Sequence, residues 1–211
     1  MLRKKFPIIL SLACLSIFLL SSYVAFAQVF PQRWVSYKIS SGKLDLAYNY
    51  DYVNSGAYSS AEVVAGANKW LNIGANVLLT PASYWSSDVI LREVDYSTWL
   101  NNGWSQTTLA WTLQIAGSKP CSNDASTNVC TASDTITAAA IYINTAQAPG
   151  LFSGDKRQAL VAHELGHAFS IAHNSVIGQD SLMKNGAWND SRFSYTPTNP
   201  DIADVNSMYH P

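Results

Sequence analysis

The stretch HELGHAFSIAH, residues 163–173, holds three of the four histidines in the chain. The surrounding pattern SGDKRQALVAHELGHAF is rich in good helix formers and predicts a helix over residues 155–169. Four residues turn an α-helix by about 400°, so His163 and His167 lie about 40° apart on one face of that helix. Both imidazole rings can therefore reach one ion, and the stretch predicts a metal site.

Glu164 lies next to the first of these histidines, about 100° around the helix from His163. In this position a carboxylate is close to a bound ion without replacing a ligand, which suits a base that takes a proton from water on the metal. Zinc lowers the pKa of such a water to about 7 and polarises a bound carbonyl. The pattern indicates metal-assisted hydrolysis with Glu164 as the catalytic residue.

A catalytic zinc commonly has three protein ligands and an open fourth position. His173 is the main candidate for the third ligand, but it can reach the ion only if the chain turns after about Phe169. Asp180 and Asp190 remain alternative oxygen ligands. No Glu follows Glu164 in the sequence, so a downstream Glu ligand is excluded.

The same stretch resembles the zinc signature H-E-x-x-H-x-x-G-x-x-H of the metzincin zinc metallopeptidases. The resemblance implies that His163, His167 and His173 bind one catalytic Zn²⁺ and that Glu164 is the general base. It implies an α+β fold, a single metzincin-like catalytic domain with a mixed twisted sheet, packed helices and the zinc site on the active-site helix. Ser170 replaces the turn glycine of the family. A left-handed non-glycine residue costs on the order of 1 kcal/mol, so we expect a strained or altered turn that keeps the third ligand.

Metzincins also have a Met-turn after the zinc signature. The segment DSLM places Met183 ten residues after His173, a spacing similar to that of the matrixin-like branch, and Met208 in SMYHP is the alternative. The methionine would form an apolar floor below the metal without binding it. Asn185 occupies the position of the Tyr ligand of some metzincins, so we expect no such ligand. ITAAAIYINT and NPDIADVNSMYH resemble the strand before the active-site helix and the terminal helix of that branch.

Upstream of the motif, strand patterns alternate with a helical one. WVSYKI and LDLAYNYDY flank the turn SSGK and predict a strand pair. SSAEVVAGANKWLNIG has a helical period, with Ser59 and Glu62 as a capping box and Gly74 as a stop, and predicts a helix over residues 60–73. NVLLT, DVILREV, TLAWTLQI and ITAAAIYINT predict strands. This order predicts a mixed sheet with helices packed on it.

The N-terminus has the pattern of a secretory signal peptide. Basic residues 3–5 precede an apolar run that ends at the small-x-small pattern Ala25-Phe26-Ala27. We therefore expect a signal peptide over residues 1–27, a zinc peptidase domain over residues 28–211, and secretion to the extracellular space or the periplasm. An uncleaved membrane anchor and lipidation at Cys14 remain alternatives.

Charge and cysteine content narrow the functional classes. Without the three basic residues of the signal peptide, 10 of the 13 Lys and Arg remain against 14 Asp and Glu, which does not indicate a nucleic-acid binder. Cys121 and Cys130 predict a disulfide in an oxidising compartment. Calcium binding to carboxylates such as Asp134 or Asp155 is unsupported, because no loop of oxygen ligands is recognisable.

The leading hypothesis is a secreted zinc metalloendopeptidase that binds a peptide along a sheet edge. We expect a monomer that acts on protein or peptide substrates, without a nucleic-acid partner or membrane association after signal cleavage. The alternative is a secreted binding or adhesion protein on a metzincin-like scaffold, favoured by Ser170 and by the seven Trp and eleven Tyr. Most of these aromatic residues are expected in the core and its rim, with DYSTWLNNGW, residues 95–104, as an exposed loop.

Overall fold

The computed structural model describes residues 29–53, 58–122, 130–147, 154–185 and 191–210. The predicted signal peptide, its cleavage site and Asp190 lie outside these residues. The described chain is α+β, with a curled mixed sheet and a few packed helices. None of its helices combines the length and apolar character needed to cross a bilayer.

The helices and strands follow one another in a mixed order, with short 3₁₀ turns at Ser36–Lys38 and Tyr84–Ser86. They are β1 (Arg33–Trp34), β2 (Ile39–Ser40), β3 (Lys43–Tyr52), α1 (Ser60–Asn68), β4 (Val77–Pro81), β5 (Val89–Val94), α2 (Tyr96–Asn101), β6 (Ala110–Ala116), β7 (Lys119–Ser122), β8 (Thr135–Ile136), β9 (Ala138–Asn144), α3 (Gly154–Ala168) and α4 (Asn199–Met208).

The main sheet is parallel in its centre and has antiparallel strands at both sides. β3 pairs in parallel with β4 and β5, and β5 pairs in parallel with β9. β6 runs antiparallel to β9, and β7 pairs with Leu113–Ala116 of β6. Among the described strands none pairs with the outer side of residues 110–112. The first half of β6 is therefore a free sheet edge within the described part of the chain.

The predicted strand pair around SSGK is present but short. β2 pairs antiparallel with Lys43 and Leu44 at the start of β3. The beginning of WVSYKI instead forms β1, which pairs in parallel with the distant β8. The pattern predicted the hairpin because its turn is local, whereas the pairing of β1 depends on residues about 100 positions away.

Helix α1 begins as predicted and ends earlier than predicted. The Ser59 hydroxyl and the Glu62 carboxylate form the capping box. The helix ends at Asn68 instead of residue 73, because turns follow in which Asn72 and Gly74 have φ of 60° and 88°. Trp70 lies in this turn segment, is fully buried, and donates from Nε1 to the carbonyl of Ala162 in α3 at 2.8 Å.

The prediction of an exposed loop at residues 95–104 was wrong in part. Residues 96–101 form α2, because the Asp95 carboxylate caps the backbone N–H of Thr98 at 2.9 Å. Trp99 is fully buried and packs at 4.6 Å, between ring centroids, against Trp104. The predicted disulfide between Cys121 and Cys130 is present, and the two Cα atoms are 5.4 Å apart.

Candidate metal centre

Helix α3 carries two of the predicted ligands into the interior. It packs on α1 and on the sheet, and its residues from 159 to 168 are all buried. His163 and His167 are 6% and 1% exposed. The helical prediction for residues 155–169 is thus confirmed to within one residue at each end.

The chain turns sharply after α3, as the position of His173 required. Ser170 has φ of 71°, in the left-handed region. Its N–H donates to the carbonyl of His167 at 2.9 Å, and the N–H of Ile171 donates to the carbonyl of Gly166 at 3.0 Å. These two bonds form a Schellman motif with serine in the position that usually holds glycine.

Side chains from distant segments satisfy the carbonyls at the buried end of α3. Gln114 of β6 donates from Nε2 to the carbonyls of His167 and Ala168, each at 3.0 Å, and to the Ser170 hydroxyl at 2.8 Å. Trp34 Nε1 donates to the Ala168 carbonyl at 2.8 Å. These contacts fix the turn, since an unpaired buried carbonyl would be costly. No sequence signal had identified Gln114.

The turn brings the third histidine to the first two. His173 Nε2 lies 3.3 Å from His163 Nε2 and 3.1 Å from His167 Nε2. Backbone carbonyls fix the other nitrogen of both helical rings, because His163 Nδ1 lies 2.7 Å from the Leu182 carbonyl and His167 Nδ1 lies 2.8 Å from the Ile171 carbonyl. A carbonyl only accepts, so each Nδ1 carries the proton. The Nε2 lone pairs of His163 and His167 are therefore free to bind an ion.

This arrangement fits a metal ion. Two nitrogen ligands on a tetrahedral zinc lie about 3.3 Å apart, since each is about 2.0–2.1 Å from the ion. Burial lowers the pKa of both His163 and His167, and the neighbouring rings lower that of His167 further, which keeps the ligands neutral. The carbonyls that orient the rings match the partners that metal-binding histidines usually have. The three histidines can thus hold a metal ion.

Glu164 is buried on the same helix as His163 and His167, and a hydroxyl bonds its carboxylate. Its side chain is 4% exposed, and Thr112 Oγ1 donates to Glu164 Oε2 at 2.6 Å. Burial raises the pKa of Glu164 to about 7, although the Thr112 hydroxyl acts in the opposite direction. A carboxyl with this pKa can both accept and release a proton near neutral pH. Thr112 was not predicted from the sequence, since β6 carries no motif.

The segment after His173 packs against α3 and fixes the carbonyl that orients His163. Asp201 of α4 is fully buried and accepts from the Leu182 N–H at 2.9 Å and from the Ser181 hydroxyl. This fixes Leu182, whose carbonyl orients His163. Met183 is fully buried in the same turn and packs against Gly166 of α3, whereas Met208 is the last residue of α4. Met183 therefore lies next to the helix turn that joins the two ligands.

The remaining candidate ligands lie elsewhere or have other partners. Among the described residues, His163, His167 and His173 form the only converging group of three or more His, Cys, Asp or Glu. Asp180 is exposed and does not join it. The Asp134 carboxylate binds the Lys119 ammonium at 2.9 Å. Asp155 is an exposed residue in the first turn of α3.

No family model matches the chain, and a search of the curated proteins finds no significant match. The assignment of the site therefore depends on the motif and on the geometry of its residues.

Proposed function

We propose that the protein is a secreted zinc-dependent endopeptidase of the metzincin type, similar to the matrixin-like branch. The observation that carries the proposal is the convergence of three Nε2 atoms, two of them from a helix that also carries the buried carboxylate of Glu164. A strand before α3, the Met183 turn after it and the final helix α4 are consistent with the resemblance. His163, His167 and His173 are the proposed zinc ligands.

Each side chain around the site has a separate role in the proposed hydrolysis. A zinc ion on the three histidines would supply Lewis acidity toward water and the peptide carbonyl. Glu164 accepts a proton from the attacking water and passes it to the leaving nitrogen, so the peptide C–N bond breaks with the proton on the amine. The Thr112 hydroxyl holds Oε2 of this carboxylate in place. Burial by the surrounding core excludes other water from Glu164.

The free edge of β6 is the proposed place for the peptide. The Leu109 carbonyl accepts from the Asn144 N–H at 2.9 Å, so it faces β9. Because backbone groups alternate along an antiparallel strand, those of Ala110 and Thr112 point to the free side. A peptide that adds as a strand there lies next to the residue that holds Glu164. A peptide bound there would have its scissile carbonyl close to the Glu164 carboxylate, as the proposed mechanism requires.

The decisive test separates metal binding from catalysis. We expect Glu164→Ala to retain zinc and to lose chelator-sensitive cleavage of casein by at least about 100-fold, as expected for the loss of a general base. His163→Ala should lose both zinc and cleavage. Asp155→Ala, an exposed carboxylate on the same helix, is the matched control and should retain both. Undiminished cleavage by Glu164→Ala would overturn the mechanism.

A binding or adhesion function is the second candidate. It is favoured by a cluster of aromatic rings in which Trp104 lies 6.3 Å from Trp111 and 5.0 Å from Tyr142 between centroids. These three side chains are only partly buried. A zinc-loaded protein that is inert toward broad peptide libraries would favour this function over hydrolysis.

A further inference from the structure

The first described residues lie across the end of α3. Val29 forms an antiparallel bridge with Ile171, and the Phe30 N–H donates to the Ser170 carbonyl at 2.8 Å. Trp34 Nε1 bonds the carbonyl of Ala168. We name residues 29–34 the N-terminal strap. The strap thus bonds or pairs with three residues between the second and third histidines, Ala168, Ser170 and Ile171.

The strap also contacts the second histidine. The Phe30 side chain is 3% exposed, and its ring centroid lies 6.3 Å from that of His167. The strap residue Val29 pairs with Ile171, whose carbonyl accepts the Nδ1 proton of His167. The strap therefore packs against the His167 ring and pairs with the residue whose carbonyl orients that ring.

A buried chain of amides connects the strap to the left-handed turn. Gln32 Nε2 donates to Gln114 Oε1 at 2.7 Å, and Gln114 Nε2 donates to the Ser170 hydroxyl at 2.8 Å. Gln32 and Gln114 are 0% and 2% exposed. Loss of Gln32 would leave a buried amide oxygen of Gln114 without this donor. Gln32 of the strap thus bonds the same amide that bonds the turn before His173.

We propose that the N-terminal strap is a positioning element of the metal centre and that its docking is coupled to metal binding. The docked strap holds His167 and the turn before His173 in the ligating arrangement. If docking of the strap raises the affinity for the metal by some factor, metal binding must raise the equilibrium constant for docking by the same factor. The proposal rests on the metal-binding part of the proposed function and is independent of peptide hydrolysis.

The first experiment measures zinc affinity by competition with a chromophoric chelator. Phe30→Ala and Gln32→Leu should each weaken zinc binding by about 10-fold or more, the usual effect of removing a group that orients a ligand. Phe30→Leu retains an apolar side chain and should have a smaller effect. Tyr37→Ala is the control, because Tyr37 follows the strap but is 75% exposed, and it should bind zinc within about 2-fold of the wild type.

The second experiment requires no substitution. Zinc should slow hydrogen exchange of the Phe30 amide in the wild-type protein, because this amide bonds the turn. Equal exchange with and without zinc overturns the coupling, as do strap variants that lower the stability of the metal-free protein but leave zinc affinity unchanged. A wild-type protein that binds no zinc overturns this proposal and the proposed function together. Zinc binding without peptide hydrolysis overturns only the proposed peptidase function and leaves the coupling proposal standing.

Discussion

At the residue scale, Ser170 shows how a sequence departs from a motif without losing its geometry. The turn keeps the left-handed backbone that favours glycine, with φ of 71°. Its hydroxyl accepts from Gln114, and the residue is fully buried. The hydrogen bond and the backbone strain each contribute on the order of 1 kcal/mol, with opposite signs, so the bond offsets part of the strain. This balance explains why a serine holds the turn before His173.

The balance at Ser170 predicts opposite outcomes for two small substitutions. Ser170→Ala retains the strain and loses the hydrogen bond, so the free energy of unfolding should fall by about 1 kcal/mol. Ser170→Gly loses the same bond but relieves the strain, so it should lie within about 0.5 kcal/mol of the wild type. Urea denaturation of the two metal-free variants measures both. A glycine variant less stable than the alanine variant would contradict this account.

At residue 166, close packing leaves no room for a side chain larger than that of glycine. A Cβ atom there would clash with Met183 Sδ, and it would lie 2.9 Å from Met183 Cε and 3.2 Å from Trp70 Cζ2. Gly166→Ala must therefore displace a buried methionine, and we expect a loss of about 1–3 kcal/mol in the free energy of unfolding. Gly154→Ala on the same helix is the control, since its nearest atom would be Glu62 Oε1 at 3.5 Å. Equal urea midpoints for the two variants would contradict the packing argument.

At the element scale, an ion pair joins α1 to the start of α3. Arg157 Nη2 lies 2.6 Å from Glu62 Oε1, and the two side chains are 25% and 15% exposed. Burial alone would raise the pKa of Glu62, but hydrogen bonds from Arg157 and Ser59 outweigh it, and the pKa is lowered overall. The folded state therefore favours the ionised carboxylate.

This pKa shift predicts a pH-dependent stability. The contribution of the pair is complete above the unfolded pKa of a Glu, about 4.3, and is lost as the pH falls through the lower folded value. Glu62→Gln keeps a capping-box residue and removes the charge. We expect it to cost about 0.5–1 kcal/mol at pH 7 and less at pH 2, measured by urea denaturation. Arg157→Met completes a double-mutant cycle, and a coupling energy unchanged between these pH values would exclude the ion pair as the cause.

The elements also show what the sequence could predict. Helix α3, the Ser59 cap and strands such as β5 were predicted because their signals are local. α2 was missed, although Asp95 is an ordinary helix cap, because the aromatic content of that segment suggested an exposed loop. The pairing of the two-residue strand β1 with β8 was missed because the two strands are distant in sequence. For the same reason the motif predicted Glu164 but not Thr112, which bonds it from 52 residues away.

At the scale of the whole molecule, the candidate site is assembled from segments that are distant in the sequence. α3 and the turn after it supply the histidines, β6 supplies Thr112 and Gln114, the Leu182 segment orients His163, and the N-terminal strap covers the end of the helix. A bound ion would link these segments through His163, His167 and His173. Metal binding should therefore stabilise the folded protein as a whole.

Metal removal tests this linkage directly. A ligand that binds only the folded state at 100 times its Kd adds about 2.7 kcal/mol, which corresponds to roughly 5–10 °C in Tm for a domain of this size. We expect chelation of zinc to lower the Tm of the wild type by this amount and to leave that of His167→Ala unchanged. His210→Ala is the control, because His210 is exposed and lies outside the converging group, and it should retain the full shift. A wild-type Tm insensitive to zinc and chelator would show that the three histidines do not link these segments through an ion.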